Sequence, residues 1–455
     1  MTVAASRKAT NPWVSHAALL AAFGALAFYA THIVHDEQGR LWSIAAIGFL
    51  LLAGTLASEL VAPLGLPHLT GYLLAGIAAG PHVLRIVDEH TVKSLSPVNT
   101  LALSLIALAG GAELELAAVR RGARSLAIAT VIHTGIVLVV ATLTFLLARP
   151  LIPFAHGLGP WAALGIALCW GSLSVTRSPS ATLGILSQTR ASGTLANFTL
   201  AFVMVSDVVV VVLVATVLGV ARPLIDASAR FSLDAFVSLG HELFGSVALG
   251  TTLGLVIATY LRLVNKQMLV VLLVLGFGVS TVLDYLRFDA LLTFMVAGFV
   301  VRNLSQQGQK FIHYIEQTGT VVYVVFFAIA GADLDVPLIR ALWPVALILA
   351  GARASATWVA SRAACAIAKD PPTLLSWAWS GLVSQAGLTI GLSLVIAREF
   401  PAIGTEFRSL VIATVAVNEM LGPVLFKLAL DRAGETASNR NSAFPPALVP
   451  SDEIR

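Results

Sequence analysis

The feature that most restricts how this chain can fold is an apolar run from Thr194 to Val220 that contains a single acid, Asp207. A run of this length is typical of a helix that crosses a membrane. An ionised carboxylate at the middle of such a helix is costly unless it faces a partner, an ion or water. The stretch AFVMVSDVVV therefore predicts a functional carboxyl group at Asp207, and the alternative is a protonated, hydrogen-bonded structural Asp.

The composition extends this conclusion to the whole chain. Hydrophobic residues make up 57% of it and charged residues 11%, whereas charged residues make up about a quarter of a soluble globular protein. Cys169 and Cys365 both lie in apolar runs, so no disulfide framework is indicated. The basic residues are spread over loops without a tract suited to nucleic acid. We therefore predict an all-α polytopic membrane protein.

The apolar runs predict 14 transmembrane segments. The first, residues 13–34, follows Arg7 and Lys8, and we interpret it as an extra uncleaved helix rather than a signal peptide. The others span residues 41–61, 69–84, 98–116, 126–147, 161–186, 194–220, 236–261, 268–283, 290–301, 318–332, 342–366, 374–397 and 407–430. Basic loop residues are more numerous on the side of the termini, which predicts cytoplasmic termini and leaves Arg177 and Arg353 at membrane depth.

Similar sequences recur seven segments apart, which predicts two six-helix repeats of opposite orientation. The matching stretches are Tyr72–Gly76 with Phe294–Gly298, Ala107–Leu116 with Ala328–Val336, and Val205–Asp207 with Val417–Glu419. The alternative is that helices rich in small residues resemble one another because of packing. The predicted domains are an extra segment (1–40), repeat one (41–220), a linker helix (221–267), repeat two (268–430) and a short polar cytoplasmic tail (431–455).

The sixth and thirteenth segments contain the sequences VTRSPSAT (Val175–Thr182) and GLVSQAGLTIG (Gly381–Gly391). In the first, Pro179 lacks an N–H group, and neighbouring hydroxyl groups can satisfy the freed backbone. A helix broken here would present carbonyl groups to a cation, and the alternative is an ordinary proline kink. The second stretch has Ser384 and Gln385 without a proline, so a break there is also possible.

These motifs resemble the monovalent cation:proton antiporter superfamily, especially its second branch of bacterial sodium/proton antiporters and potassium-efflux systems. The resemblance rests on TGYLLAGIAAGP (Thr70–Pro81), the SPSAT sequence, the polar-Asp pair at Ser206–Asp207 and FFAIAGADLD (Phe326–Asp335). It implies that Asp207 binds the proton and the cation alternately. The hydroxyl groups of Ser206 and Thr176 are oxygen ligands of the type that hard cations prefer, so we expect them at the site. The resemblance covers residues 41–430. It further implies a homodimer and a mobile core built from segments four to seven and eleven to fourteen.

Departures from the family pattern concern the charges around the site. Ser206 stands where electrogenic relatives have a second Asp, and Arg353 stands where relatives often have a Lys; both changes predict electroneutral exchange. The alternative for Arg353 is a structural ion pair or a residue that snorkels. Arg177 could pair with Asp207 or Glu419, or point into a cytoplasmic funnel. The residues expected to support the core are Arg353, Arg177, Ser178, Pro179, Ser384, Gln385 and Glu419.

The sequence therefore predicts a secondary transporter of the cell (inner) membrane that exchanges sodium or potassium for protons, with a role in pH homeostasis. It is not expected to be an enzyme, and no cofactor, metal site or nucleic-acid partner is indicated. His133 is interpreted as a packed core residue, and Glu59 and Glu242 as acids at helix ends. Two alternatives remain: a transporter of the same architecture for another solute such as an organic anion, and a transport-inactive membrane sensor.

Overall fold

The computed structural model describes residues 40–437, except 115, 226–233, 265–267, 287, 306–307, 335 and 386. Every regular element in this described part is helical, as the predicted fold class requires. The predicted first apolar run and the chain from residue 438 onward lie outside the described residues.

The helices are long and apolar, and short turns connect many of them. They are α1 (Arg40–Val61), α2 (His68–Ala79), α3 (Glu89–Ser94), α4 (Ser96–Glu113), α5 (Leu116–Ala148), α6 (Pro160–Ser174), α7 (Pro179–Thr189), α8 (Thr194–Ile225), α9 (Asp234–Leu263), α10 (Met268–Leu286), α11 (Ala290–Leu304), α12 (Gly308–Ala332), α13 (Val336–Ala368), α14 (Pro372–Trp377), α15 (Gly387–Glu399) and α16 (Pro401–Arg432). Among the described residues, six helical segments are long and apolar enough to cross a membrane. The count of 14 crossings stays a prediction.

Two of the predicted segments are interrupted. The first is divided into α6, which ends at Ser174, and α7, which begins at Pro179. Pro179 is the first residue of α7, where its missing N–H group leaves no helical hydrogen bond unmade. Ser178 caps this end, because its Oγ accepts a hydrogen bond from the Ala181 N–H at 3.1 Å. This confirms the predicted break at VTRSPSAT, and the alternative of an ordinary proline kink is not what the structure shows.

The second interruption forms without a proline in the break itself. After α14 the chain makes a 3-10 turn, Ala378–Leu382, and leaves helical geometry before α15 begins at Gly387. The break is possible here because other side chains take up the carbonyl groups that the helix leaves unpaired, as described for the site below.

The described chain forms two compact units. The first comprises the described residues up to Leu103 together with Gln317–Pro337. In it, α2 and the second half of α12 approach backbone to backbone: a methyl group at Gly76 would collide with the carbonyl oxygen of Ala328, and one at Gly331 with that of Leu73. Small residues at a helix contact permit this approach. The core beside it contains Ala46, Leu50, Ala79, Val325 and Ile329.

The second unit comprises the described residues of Ser104–Glu316 and Leu338–Arg455. Its helices α4 and α11 make the same kind of contact: a methyl group at Gly111 would collide with the carbonyl oxygen of Met295, and one at Gly298 with that of Leu108. A separate apolar core surrounds Trp170, whose ring centroid lies 5.7 Å from that of Phe145 and 6.2 Å from that of Phe407.

The two units differ from the predicted mobile core in three places. Residues 98–103 at the start of α4 belong to the first unit. Residues 317–332 of α12 belong to the first unit, because they pack on α2. Helices α9, α10 and α11 belong to the second unit, and α9 packs tightly on α11 because Gly250 and Gly254 face backbone atoms of that helix. The domain boundaries from the repeat pattern stay predictions.

Candidate functional site

Asp207 lies on α8 and is 6% exposed. Neither of its carboxyl oxygens has a hydrogen-bond partner among the described residues. Two charged groups act on it electrostatically: the Asp289 carboxylate at the start of α11 repels it, and the Arg177 guanidinium attracts it. Removing a carboxylate from water without a partner is unfavourable. The side chain therefore has unused capacity to bind a proton or a cation.

Ser206 does not bond to the carboxyl group beside it. Its hydroxyl donates to the carbonyl oxygen of Val203, one turn earlier in α8, at 2.7 Å. The proton is thus used within the helix, while the oxygen can still accept a proton or coordinate a cation.

Arg353 of α13 joins the two interrupted helices. Its Nε donates to the carbonyl oxygen of Ser174 at 2.8 Å and its Nη2 to that of Thr176 at 2.7 Å. On the other interruption, Nη1 donates to the carbonyl oxygen of Val383 at 2.6 Å and Nη2 to that of Leu382 at 3.3 Å. Carbonyl groups at a helix C-terminus carry partial negative charge. The buried guanidinium therefore neutralises two such ends at once. It does not snorkel, and it forms no ion pair with the described residues.

Thr176 and Gln385 form a second link between the interruptions. The Gln385 Nε2 donates to Thr176 Oγ1 at 2.8 Å and to the carbonyl oxygen of Leu173 at 3.0 Å. Thr389 Oγ1 lies 2.5 Å from Thr176 Oγ1, and Asn418 Nδ2 donates to Gln385 Oε1 at 2.7 Å. The hydroxyl of Thr176 is thus hydrogen-bonded to side chains in and just after the second interruption. A small cavity lies beside this network rather than beside Asp207.

Arg177 projects from the first interruption and is 2% exposed. Its Nη2 donates to His133 Nδ1 at 2.9 Å, and its guanidinium carbon lies 4.4 Å from the centre of the Phe202 ring. Its Nη1 has no hydrogen-bond partner in the described part of the chain. A pairing of Arg177 with Asp207 or Glu419, one of the alternatives from the sequence, is not found among the described ion pairs. The guanidinium instead contacts His133 and Phe202.

Comparison with known families identifies the chain. Residues 47–430 match the family described as "Sodium/hydrogen exchanger, transmembrane". The chain belongs to this family. The comparison with curated proteins gave no significant match.

Two solved structures similar to this exchanger are both of the sodium proton antiporter MjNhaP1 from Methanocaldococcus jannaschii. One, at pH 8, has a TM-score of 0.64 at 16% identity, covering 86% of this chain and 96% of that one. The other, from electron microscopy, has a TM-score of 0.67 at 16% identity, covering 90% and 99%. At this identity the likeness shows the fold alone, and that fold agrees with a polytopic membrane protein.

The site residues predicted for this exchanger fall in separate places. Thr176, Gln385 and Arg353 share one hydrogen-bonded network, whereas Asp207 and Ser206 make no hydrogen bond to it among the described residues. Ser178 and Pro179 begin α7. Of the remaining three, Arg177 bonds to His133, and Ser384 is buried where Gly422 packs on it. The third is Glu419, whose buried Oε2 has no hydrogen-bond partner in the described chain.

Sequence reasoning missed four contributors. His133, interpreted as packing, is buried but hydrogen-bonded to Arg177 and to Ser361. Phe202 precedes Asp207 by five residues, and nothing in the sequence pairs it with an arginine. Thr389 lies four residues after Gln385, a spacing that would place both side chains on one face of a continuous helix. The interruption between them means that the sequence does not predict this contact. Asp289 precedes an apolar helix, which is a recognisable capping signal, and its Oδ1 accepts from the Leu292 N–H at 2.6 Å.

Proposed function

We propose that this exchanger moves a monovalent cation, sodium or potassium, against protons by competition at the carboxyl group of Asp207. The observation that carries the proposal is the buried carboxyl group with both oxygens unpartnered among the described residues. A carboxyl group removed from water favours its neutral form, and a bound cation is the other way to neutralise it. Occupation by one ion therefore excludes the other, and membership of the family supports this reading.

The exchange is proposed to be one for one. Ser206 beside the acid carries no titratable charge. Arg353 holds a fixed positive charge, because a guanidinium keeps its proton and its donors are committed to four carbonyl oxygens. Asp207 is then the group at this site that changes its occupancy during a cycle, so one proton replaces one monovalent cation.

Inverted repeats remain part of the proposal, and the glycine contacts support them. In the sequence alignment of the halves, Gly76 corresponds to Gly298, and Gly331 to Gly111. Gly76 meets Ala328, and Gly298 meets the corresponding residue, Leu108. Gly331 meets Leu73 and Gly111 meets its counterpart Met295. Packing between similar small-residue helices does not require that corresponding residues meet in both halves, whereas a repeat does.

Proteoliposomes provide the test. Purified exchanger is reconstituted with an imposed pH gradient, and sodium, potassium or lithium is added while the internal pH is followed. We expect at least one cation to dissipate the gradient. Asp207→Asn should abolish dissipation, while the matched control Glu406→Gln, which neutralises an exposed acid of α16, should leave it unchanged.

Charge balance is checked in the same vesicles with the membrane potential clamped at different values. Electroneutral exchange predicts that the rate does not depend on the potential. Dissipation that persists in Asp207→Asn would remove this carboxyl group from the mechanism, and a rate that follows the potential would contradict one-for-one exchange.

A second candidate, transport of an organic anion, is favoured by one observation. The buried Arg177 has an Nη1 without a hydrogen-bond partner in the described chain, as an anion-binding site requires. Uptake of labelled small carboxylates into the same vesicles, with no cation-dependent dissipation, would favour it. Loss of that uptake in Arg177→Gln would assign the anion to this side chain.

The remaining parts of the proposal concern assembly and location. We propose a homodimer in the inner membrane with cytoplasmic termini, as the resemblance and the loop charges indicate. Crosslinking in native membranes tests for the homodimer. Tags on each terminus, detected in intact and in permeabilised cells, test on which side of the membrane the termini lie.

A further inference from the structure

Arg177 is buried and attracts the carboxylate of Asp207, yet the two side chains form no ion pair in the described part of the chain. The guanidinium is held on two sides by uncharged groups, the His133 imidazole and the Phe202 ring. The two rings also pack on each other, with centroids 5.4 Å apart. His133, Arg177 and Phe202 therefore form a compact cluster, which we call the arginine holder.

The hydrogen bonds of His133 fix its protonation form. An arginine can only donate, so the Nδ1 that faces Arg177 must be an unprotonated acceptor. The proton of the neutral ring then lies on Nε2, which donates to Ser361 Oγ at 3.0 Å. Ser361 thus orients the ring so that its acceptor faces the guanidinium.

Arg177 and Asp207 interact electrostatically, because the guanidinium attracts the carboxylate. The Nη1 of Arg177 and both oxygens of Asp207 lack hydrogen-bond partners in the described part of the chain. A change of side-chain rotamer could bring the free Nη1 toward these oxygens.

Such a pair would be stable once formed. A guanidinium and a carboxylate form short, charge-assisted hydrogen bonds, and these are strengthened where water is excluded. A carboxylate held in this way can take up neither a cation nor a proton easily. What prevents the pair in this structure is the competing acceptor on His133, together with the face of Phe202.

We propose that His133 is a positioning residue that holds Arg177 away from Asp207 and so keeps the carboxyl group available for ion exchange. This inference rests on the proposed function, since it concerns access to the same carboxyl group. Charged groups close enough to act electrostatically are Arg177 and Arg353, which act on His133, and Asp289, which acts on Asp207. The neutral acceptor on His133 therefore determines the position of the Arg177 guanidinium.

The test compares two substitutions at His133 in proteoliposomes. His133→Leu keeps apolar volume and removes the acceptor, whereas His133→Asn places an amide oxygen near the position of Nδ1. We expect His133→Leu to raise the KM for the exchanged cation by about tenfold or more, because Arg177 then pairs with the carboxylate of Asp207. His133→Asn should stay close to the wild type, and Ser361→Ala, which removes the orienting partner alone, should fall between them.

A second substitution distinguishes positioning from a structural role. Arg177→Gln, added to His133→Leu, removes the competing charge, so the cation KM should return to that of Arg177→Gln alone. Phe202→Leu releases the guanidinium from its other side, and Arg177→Gln should rescue this variant in the same way. The test therefore stays decisive if the His133→Leu protein does not insert into the membrane. A variant that is merely destabilised would not be rescued by a second core substitution.

Three results would overturn the inference while leaving the proposed function standing. One is a failure of Arg177→Gln to rescue either variant, and another is equal impairment of His133→Leu and His133→Asn. The third is complete loss of exchange in Arg177→Gln alone, which would make Arg177 necessary at the site. An inactive wild type that is correctly inserted would instead contradict the proposed function.

Discussion

His133 and Arg353 lie the same number of residues from the start of two helices of equal length, Leu116–Ala148 and Val336–Ala368. The two helices are antiparallel. His133 bonds to Ser361, while Ser125, which precedes His133, donates from its Oγ to Oδ2 of Asp370, which follows Ser361, at 2.7 Å. One helix thus brings a fixed charge to the interruptions, and the other brings a neutral acceptor. Corresponding positions of these two helices of equal length thus serve different purposes.

Arg353 is predicted to be necessary for both stability and transport. Arg353→Gln leaves carbonyl groups of both interruptions without their charged donor, which we expect to cost about 3 kcal/mol or more of unfolding free energy. Arg353→Lys should be impaired too, because one ammonium group cannot reach carbonyl groups spread over the two interruptions. Thermal unfolding in detergent and gradient dissipation measure the two effects.

The matched control for Arg353 is Arg362→Gln on the same helix. Arg362 is exposed, and its guanidinium carbon lies 5.3 Å from the ring centre of Trp358. Exposed contacts of this kind contribute little, so its unfolding temperature should match the wild type. An Arg353→Lys protein with wild-type stability and rate would show that the separate carbonyl contacts are dispensable.

Asp207→Asn is predicted to stabilise the exchanger while abolishing transport. The carboxylate of Asp207 has no hydrogen-bond partner among the described residues, which is costly when it is ionised, and an amide removes that cost. The gain should be about 1 kcal/mol or more at alkaline pH and smaller at acidic pH, because the protonated acid is already neutral. Unfolding temperatures of both proteins across a pH series give the comparison, and a gain that does not depend on pH would contradict this account.

Much of the fold could be predicted from sequence because the signals are local. The long apolar runs indicate membrane helices, and Pro179 with the hydroxyl residues around it indicates an interruption. The acid at Asp207 is conspicuous because a buried charge is rare in such a run. These features depend on a few neighbouring residues, and the structure places the interruption where the proline predicts it.

The contacts that organise the site could not be predicted, because they join residues far apart in the chain. His133 looks like any lone histidine until the fold brings Arg177 to its Nδ1. Arg353 meets backbone carbonyl groups, which have no sequence signature of their own. The second interruption has no proline, so its position depends on Gln385 and Arg353 rather than on a local breaker.

The glycine contacts predict a sharp difference between glycines. Gly76→Ala and Gly298→Ala each introduce a methyl group that collides with a backbone carbonyl oxygen, so both should be strongly destabilising, by about 2 kcal/mol or more. Gly135→Ala, in the interior of α5, meets nothing within 4 Å and should instead stabilise by about 0.5–1 kcal/mol. Thermal unfolding of the three variants tests this, and equal effects at Gly76 and Gly135 would contradict the close approach.

Glu435 is predicted to fasten the start of α8, the helix that carries Asp207. Its Oε1 and Oε2 accept hydrogen bonds from the N–H groups of Leu195 and Ala196, both at 2.8 Å, and its carbonyl oxygen accepts from the Ser192 N–H at 3.0 Å. These N–H groups have no partner within the helix, and a carboxylate is favourable at a helix N-terminus. Glu435→Ala should therefore cost about 1–2 kcal/mol.

The effect of Glu435→Ala should be local, so hydrogen exchange should accelerate at residues 194–197 before the rest of α8. Gly193→Ala provides an independent approach, because its methyl group would collide with the Glu435 carboxylate and push it off the helix end. Both variants should then accelerate exchange at the same amides, whereas Glu406→Gln on the exposed side of α16 should not. Unchanged protection of Leu195 and Ala196 in Glu435→Ala would show that other groups hold the start of this helix.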